Sequence, residues 1–203
     1  MRGVSQRFTT RGWMLAALCV GLAIFIIARL TLIPGADLGA TARWSFVLFW
    51  LGSTGGAMAR LFGPTFDKLA RRARDFSLAY AAAQLVHLAI VLRVLYKSPR
   101  PASELLFFGT AVFWTYLLAG VSLTSLSARL NPTVWRILRT IGVEYISLAF
   151  LIDFARYPFD GGFLKTLYYL PFLVLAIAAP ALRLAAFVKR TLLKRRTLVG
   201  SPT

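Results

Sequence analysis

The chain contains one histidine, His87, which lies in an apolar segment long enough to cross a membrane, residues 71–94. The segment opens with a cluster of arginines. An imidazole inside a membrane helix usually serves a cofactor, a proton path or a polar contact between helices. Small side chains precede His87, so the helix surface beside it is shallow, and either a flat cofactor or a neighbouring helix could lie against it.

Two carboxylates lie in the least apolar of the membrane-length segments, residues 134–154. Glu144 is between one third and halfway along it, where a charge is costly unless it is paired. Glu144 could face His87 across a bundle; alternatively it bonds a serine or tyrosine, or is neutral. Asp153 lies close to the opposite face of a helix, so the two do not form a carboxylate pair. We expect Asp153 to pair with Arg156 at the outer interface.

Six apolar segments must position these side chains, and each is close to the ~20 residues that a helix needs to cross a membrane. Only 15% of the 203 residues are charged and 58% are hydrophobic. The sequence therefore predicts an all-α integral membrane bundle of six transmembrane helices. The segments are residues 13–33, 44–62, 75–96, 105–126, 134–154 and 167–188.

The basic residues predict the orientation of this bundle. If the segments alternate in direction, 17 of the 24 lysines and arginines fall on the side that holds both termini. This bias places both termini in the cytoplasm, with basic ends at 1–12 and 189–203 flanking a membrane domain at 13–188. We expect a multi-pass protein of the bacterial inner (cytoplasmic) membrane. The net charge of +17 then needs no nucleic-acid partner, and the lone Cys19 offers no disulfide.

Two stretches resemble the ferric-reductase-like transmembrane domain family, especially its MsrQ-like branch of bacterial haem-binding membrane subunits. The first is a basic loop leading into an apolar helix with a late histidine, Arg72-Ala73-Arg74 to Val86-His87. The second reads Leu123-Thr124-Ser125-Leu126-Ser127-Ala128-Arg129-Leu130 and then Trp135-Arg136-Ile137-Leu138-Arg139, where the family has Leu-x-Thr-Ser, basic residues and Trp-x-x-Leu-His. The resemblance covers roughly residues 13–188. It implies haem b held between histidines of the third and fifth spans.

The chain departs from the family at the histidines of the fifth span. One of them falls on Arg139 here, and the other near Ile152 or Asp153. Arginine stays protonated and is a very poor iron ligand. Three alternatives remain: no haem, a five-coordinate haem on His87, or a second ligand from another residue or chain. We favour the absence of a stable bis-histidine haem.

The arginines near the start of the third and fifth spans form a second candidate site. Arg71, Arg72, Arg74 and Arg139 could contact haem propionates, a quinone or anionic lipid, although the membrane orientation alone also predicts a basic inner rim. The sequence has no phosphate-binding loop and no flavin or nicotinamide domain. Any electron donor must therefore be a separate flavoprotein or a quinol.

Three functions are compatible with these features. The first is a divergent ferric-reductase-like electron-transfer subunit with His87 as its single family-type haem ligand. The second is a non-catalytic membrane scaffold or assembly subunit that has lost haem and works with another membrane protein. The third is a small proton-coupled transporter that uses His87 and Glu144.

Overall fold

The structure is a computed structural model that describes residues 2–31, 33, 35–98, 100–124, 126–156 and 162–199, with the side chains of 2–9, 162–165 and 194–199 left aside. All regular secondary structure in these ranges is helical. A short 3₁₀ turn, Pro64–Phe66, precedes the third helix. The α-helices are α1 (Arg2–Leu30), α2 (Ala36–Phe62), α3 (Asp67–Arg71), α4 (Ala73–Lys97), α5 (Ala102–Leu123), α6 (Leu126–Arg129), α7 (Pro132–Ala155) and α8 (Gly162–Val199).

Local sequence explains where several of these helices begin and end. The Asn131 side chain accepts a hydrogen bond from the Thr133 amide at 2.8 Å and caps α7, with Pro132 at its first position. Glycines with positive φ, Gly35 at 75° and Gly63 at 84°, flank α2 at its two ends. A side chain would strain the backbone at both turns.

The prediction of an all-α bundle with several membrane-length helices is confirmed. Among the described residues, four helices are long and apolar enough to cross a membrane: Thr10–Leu30, Ala73–Lys97, Ala102–Leu123 and Thr166–Leu193. Helices α2 and α7 have 27 and 24 residues, but neither contains an equally apolar stretch. Both carry polar groups into the bundle, where charged and polar side chains of membrane proteins are usually found.

The helices extend further than the predicted segments. Helix α1 already begins at Arg2, and α8 continues to Val199 instead of ending near residue 188. The basic ends of the chain are therefore helical wherever they are described. Ser125, in the second family-like stretch, lies outside the described residues.

Helix α2 lies at the centre of the bundle and packs against α1, α4 and α8. Phe46 and Phe49 of α2 lie in an aromatic core, with Phe46 4.9 Å from Phe154 and Phe49 5.2 Å from Tyr80, measured between ring centroids. The small face of α4 packs into the same core, where Ala79 and Ala83 are fully buried. Helix α2 thus packs against this face.

Contacts between helix ends show that the six long helices alternate in direction. At one end, Thr10 donates to Asp75 at 2.7 Å and Lys189 donates to the Arg60 carbonyl at 2.8 Å. At the other end, Arg156 pairs with Glu104 at 3.1 Å, and Arg29 lies 3.6 Å from Asp37. The first end, which holds the start of α1 and the end of α8, is called the basic end below.

Candidate functional site

A cavity of about 1330 Å³ opens at the basic end between α2, α4, α5, α7 and α8. Its walls run from Arg60 to Phe49 along α2 and from Arg136 to Ile146 along α7. At 1.5 Å per residue, these stretches are about 15 Å long. This length is about half the thickness of a ~30 Å hydrocarbon core.

Six arginines line this cavity, which we call the arginine cavity. Their only acidic neighbour on the described lining is Glu144, so the ionised lining has a net charge of +5. The arginines come from five helices and are Arg60, Arg71, Arg74, Arg136, Arg139 and Arg183.

Three of the four arginines that the sequence groups together lie on this cavity. Arg71, Arg74 and Arg139 line the cavity, whereas the Arg72 guanidinium lies 5.6 Å from the ring of Trp13, outside the described lining. Sequence reasoning missed Arg60, Arg136 and Arg183 as part of a common site. Their distant positions in the chain give no signal that they converge, because only the packing of the helices brings them together.

The deepest charges of the cavity form a pair between α7 and α8. Arg183 donates from Nε and one terminal nitrogen to the two carboxylate oxygens of Glu144, both at 2.7 Å. The same terminal nitrogen also donates to the Ser147 hydroxyl at 2.8 Å. The partner of Glu144 is therefore Arg183, and not His87, which was one of the alternatives for it. A guanidinium that binds both oxygens satisfies the carboxylate better than one imidazole can.

The other five arginines have no such counter-ion. No carboxylate of the described residues lies within salt-bridge distance of Arg60, Arg71, Arg74, Arg136 or Arg139. Arg74 donates to the backbone carbonyl of Ser122, which joins α4 to α5 at the mouth of the cavity. The positive charge of the lining is therefore concentrated near the mouth.

The deeper wall of the cavity is mainly apolar. It is formed by Phe49, Leu78, Leu118, Ile146 and Ile177. The Tyr80 and Thr115 hydroxyls also line it, and they bond each other at 2.9 Å. The cavity is thus amphipathic, with arginines at its mouth and hydrocarbon below them.

His87 lies outside this cavity. Its Nδ1 is 3.2 Å from the Thr41 hydroxyl of α2, and Thr41 also donates to the Asp37 carbonyl at 2.8 Å. The imidazole is half-buried between these helices. Of the three roles expected for a membrane histidine, the geometry supports a polar contact between helices.

The residues present do not fit the haem that the family resemblance implies. The described cavity lining contains no histidine, cysteine or methionine, the usual nitrogen and sulfur ligands of haem iron. His87 is directed at Thr41, and the fifth span offers Arg139, Ile152 and Asp153 at the family's histidine positions. No axial ligand pair can be assembled from these side chains.

The expected ion pair between Asp153 and Arg156 is not formed. Arg156 instead pairs with Glu104 of α5 at 3.1 Å. Arg156 follows the last residue of α7, so its side chain can reach the start of α5 instead of folding back along its own helix. The contact joins the two helices at the end opposite the cavity.

Glu144, the one carboxylate on the described lining, is bound by Arg183. What the geometry of the cavity provides is a set of guanidinium donors above an apolar wall, which suits binding of an anion. Comparison of the chain with protein-family models, with curated proteins and with solved structures finds no match.

Proposed function

We propose that this protein is a haem-free membrane subunit that binds an anionic ligand in the arginine cavity. The observation that carries the proposal is the convergence of five arginines without carboxylate partners on one cavity. All five are exposed at the mouth of the cavity, where a concentration of like charge attracts anions. A bound anion would supply the missing counter-charge.

The chemistry of the lining favours phosphate or carboxylate groups. Guanidinium presents parallel donors that match the oxygens of both groups, often in pairs. Arg136 and Arg139 are three residues apart on α7 and both line the cavity, so they lie on one face of the helix. They are the residues to which we assign the main contacts with the anion.

The proposed topology has six membrane passes with both termini in the cytoplasm of a bacterial cell. The alternating directions of the six long helices and the arginines at the basic end support this arrangement. In this orientation the cavity opens toward the cytoplasm. The subunit would take its ligand, or present it to a membrane protein partner, on that side.

Binding of inorganic pyrophosphate, followed by calorimetry on the purified protein at 0.15 M salt, tests the proposal. We expect Arg136→Gln/Arg139→Gln to weaken binding at least tenfold, because each charge-assisted hydrogen bond contributes about 1.5–3 kcal/mol. The matched control is Arg129→Gln/Arg190→Gln, which removes the same charge from exposed positions outside the described lining. Equally weakened pyrophosphate binding in both variants would mean that pyrophosphate responds only to the overall surface charge.

The electron-transfer function that the resemblance implies remains a separate prediction, with His87 as its iron ligand and a flavoprotein or quinol as donor. This function requires His87 to give up its contact with Thr41. It also requires a second iron ligand, unless the haem is five-coordinate. Our proposal predicts no Soret band in oxidised or dithionite-reduced protein after haem supplementation. A band that is present in the wild type and lost in His87→Ala would favour electron transfer instead.

A further inference from the structure

We infer that the ligand of the arginine cavity is an anionic phospholipid, with its phosphate among the arginines at the mouth and an acyl chain along the apolar wall. This inference rests on the proposed anion binding and specifies the class of ligand. It depends on three features of the cavity: the level of its charge, the chemistry of its deeper wall and the space beside one glycine.

The unpaired charge lies at the level where lipid headgroups are found. Arg60 is in the last turn of α2, Arg74 in the first turn of α4, and Arg136 in the second turn of α7. The deeper Arg183 is already neutralised by Glu144. The net positive charge is therefore left near the membrane surface, where anionic headgroups attract basic side chains.

The deeper wall suits a hydrocarbon chain better than a hydrated anion. Leu118 and Ile177 contribute most of the apolar surface below the arginines, because Phe49 and Ile146 are only 5% and 2% exposed. A soluble anion would bind at the mouth and leave this surface in contact with water. An acyl chain would cover it, and each buried methylene adds to the affinity. From the arginines at the mouth to its deepest residues the whole cavity is about 15 Å long by helix rise, which is close to the thickness of one leaflet of hydrocarbon.

Gly56 marks open space between the mouth and the deeper wall. It lines the cavity, and a Cβ built on it would have no atom within 4 Å. It is four residues before Arg60, or about 6 Å deeper along α2. A large side chain at this position would obstruct the path of an acyl chain without replacing any arginine.

Gly56→Trp therefore separates a lipid ligand from a soluble anion. The probes are dioctanoyl phosphatidylglycerol, dioctanoyl phosphatidylcholine with the same chains and a zwitterionic headgroup, and inorganic pyrophosphate without a chain. The matched control is Gly109→Trp, at an exposed helical glycine outside the described lining, where a Cβ also meets nothing within 4 Å. Gly56→Leu repeats the comparison if the tryptophan variant does not fold.

We expect wild-type protein and Gly109→Trp to bind phosphatidylglycerol at least tenfold more tightly than either other probe. Gly56→Trp should lose at least tenfold in affinity for phosphatidylglycerol and keep its affinity for pyrophosphate within twofold. Unchanged lipid affinity in the folded Gly56 variants would overturn the inference, as would equal affinity for the two lipids. If pyrophosphate still binds in those cases, the proposed anion site is supported while the lipid is not its ligand. If wild-type protein does not bind pyrophosphate, the proposed function is contradicted.

Discussion

At the scale of single residues, Arg183 shows how this chain holds a charge inside its bundle. Three hydrogen bonds from its guanidinium go to Glu144 and Ser147, while the remaining terminal nitrogen is buried without a partner among the described atoms. The Glu144 side chain is still 44% exposed, because it lines the cavity. The pair thus joins α7 to α8 and also forms part of the wall on which the ligand is proposed to bind.

Removing one member of this pair should be costly. We expect Glu144→Ala to lower the free energy of unfolding by roughly 1.5–3 kcal/mol, because Arg183 then loses its charge-assisted bonds to the carboxylate. In the Glu144→Leu/Arg183→Leu variant most of this loss should be recovered, since apolar replacement of both partners avoids an unpaired charge. Denaturant unfolding in detergent measures both changes. A Glu144→Ala protein as stable as the wild type would show that the pair contributes little to stability.

At the scale of helices, two glycines of α2 four residues apart have different surroundings. A Cβ at Gly52 would lie 2.6 Å from the Ser77 hydroxyl and 2.9 Å from the Ser77 amide nitrogen of α4, whereas a Cβ at Gly56 would meet nothing within 4 Å. The glycine-rich end of α2 therefore allows α4 to approach at one position and opens the cavity at the next turn. Gly52 and Gly56 are neighbours on one face of α2, because they are four residues apart.

Alanine substitutions should distinguish these two glycines. We expect Gly52→Ala to destabilise the protein by about 1–3 kcal/mol, because α2 and α4 must separate to admit the methyl group. Gly56→Ala should be neutral or stabilising by up to about 1 kcal/mol, as alanine is the better helix former. Each variant serves as the control for the other in thermal unfolding. Equal destabilisation by both would mean that the two positions are packed alike.

The sequence predicts the helices better than it predicts their partners. Apolar length and loop residues locate the six long helices, and the small side chains before His87 indicate a shallow helix surface. Residue spacing does not indicate that Glu144 contacts Arg183, 39 positions away, and not His87. The contact between His87 and Thr41 likewise depends on how α2 lies against α4. Such pairings are set by three-dimensional packing, which periodicity along one helix does not determine.

At the scale of the whole molecule, the proposed six passes predict which loops share a side of the membrane. In a Cys19→Ala background, we expect cysteines at Thr65 and Ala128 to react only with cytoplasmic maleimide, and a cysteine at Ser98 only with periplasmic maleimide. All three positions are exposed, so differences in labelling report on sidedness. Labelling of Thr65 and Ala128 from opposite sides would contradict six passes.

The whole molecule also explains why the site was only partly predictable. Positive charge at one end of the bundle follows from orientation in the membrane, and the sequence indicates it directly. That Arg60, Arg136 and Arg183 join Arg71, Arg74 and Arg139 around a common cavity depends on the arrangement of five helices. A basic rim and a binding cavity have the same residue composition, and only the packing distinguishes them.

The most direct test of anion binding in the arginine cavity is the affinity for inorganic pyrophosphate of two variants. The cavity variant is Arg136→Gln/Arg139→Gln, and the surface control is Arg129→Gln/Arg190→Gln. We predict a loss of at least tenfold in the cavity variant and a change within twofold in the control. Equal affinities in the two variants, or no measurable binding to the wild type, would contradict the proposed function.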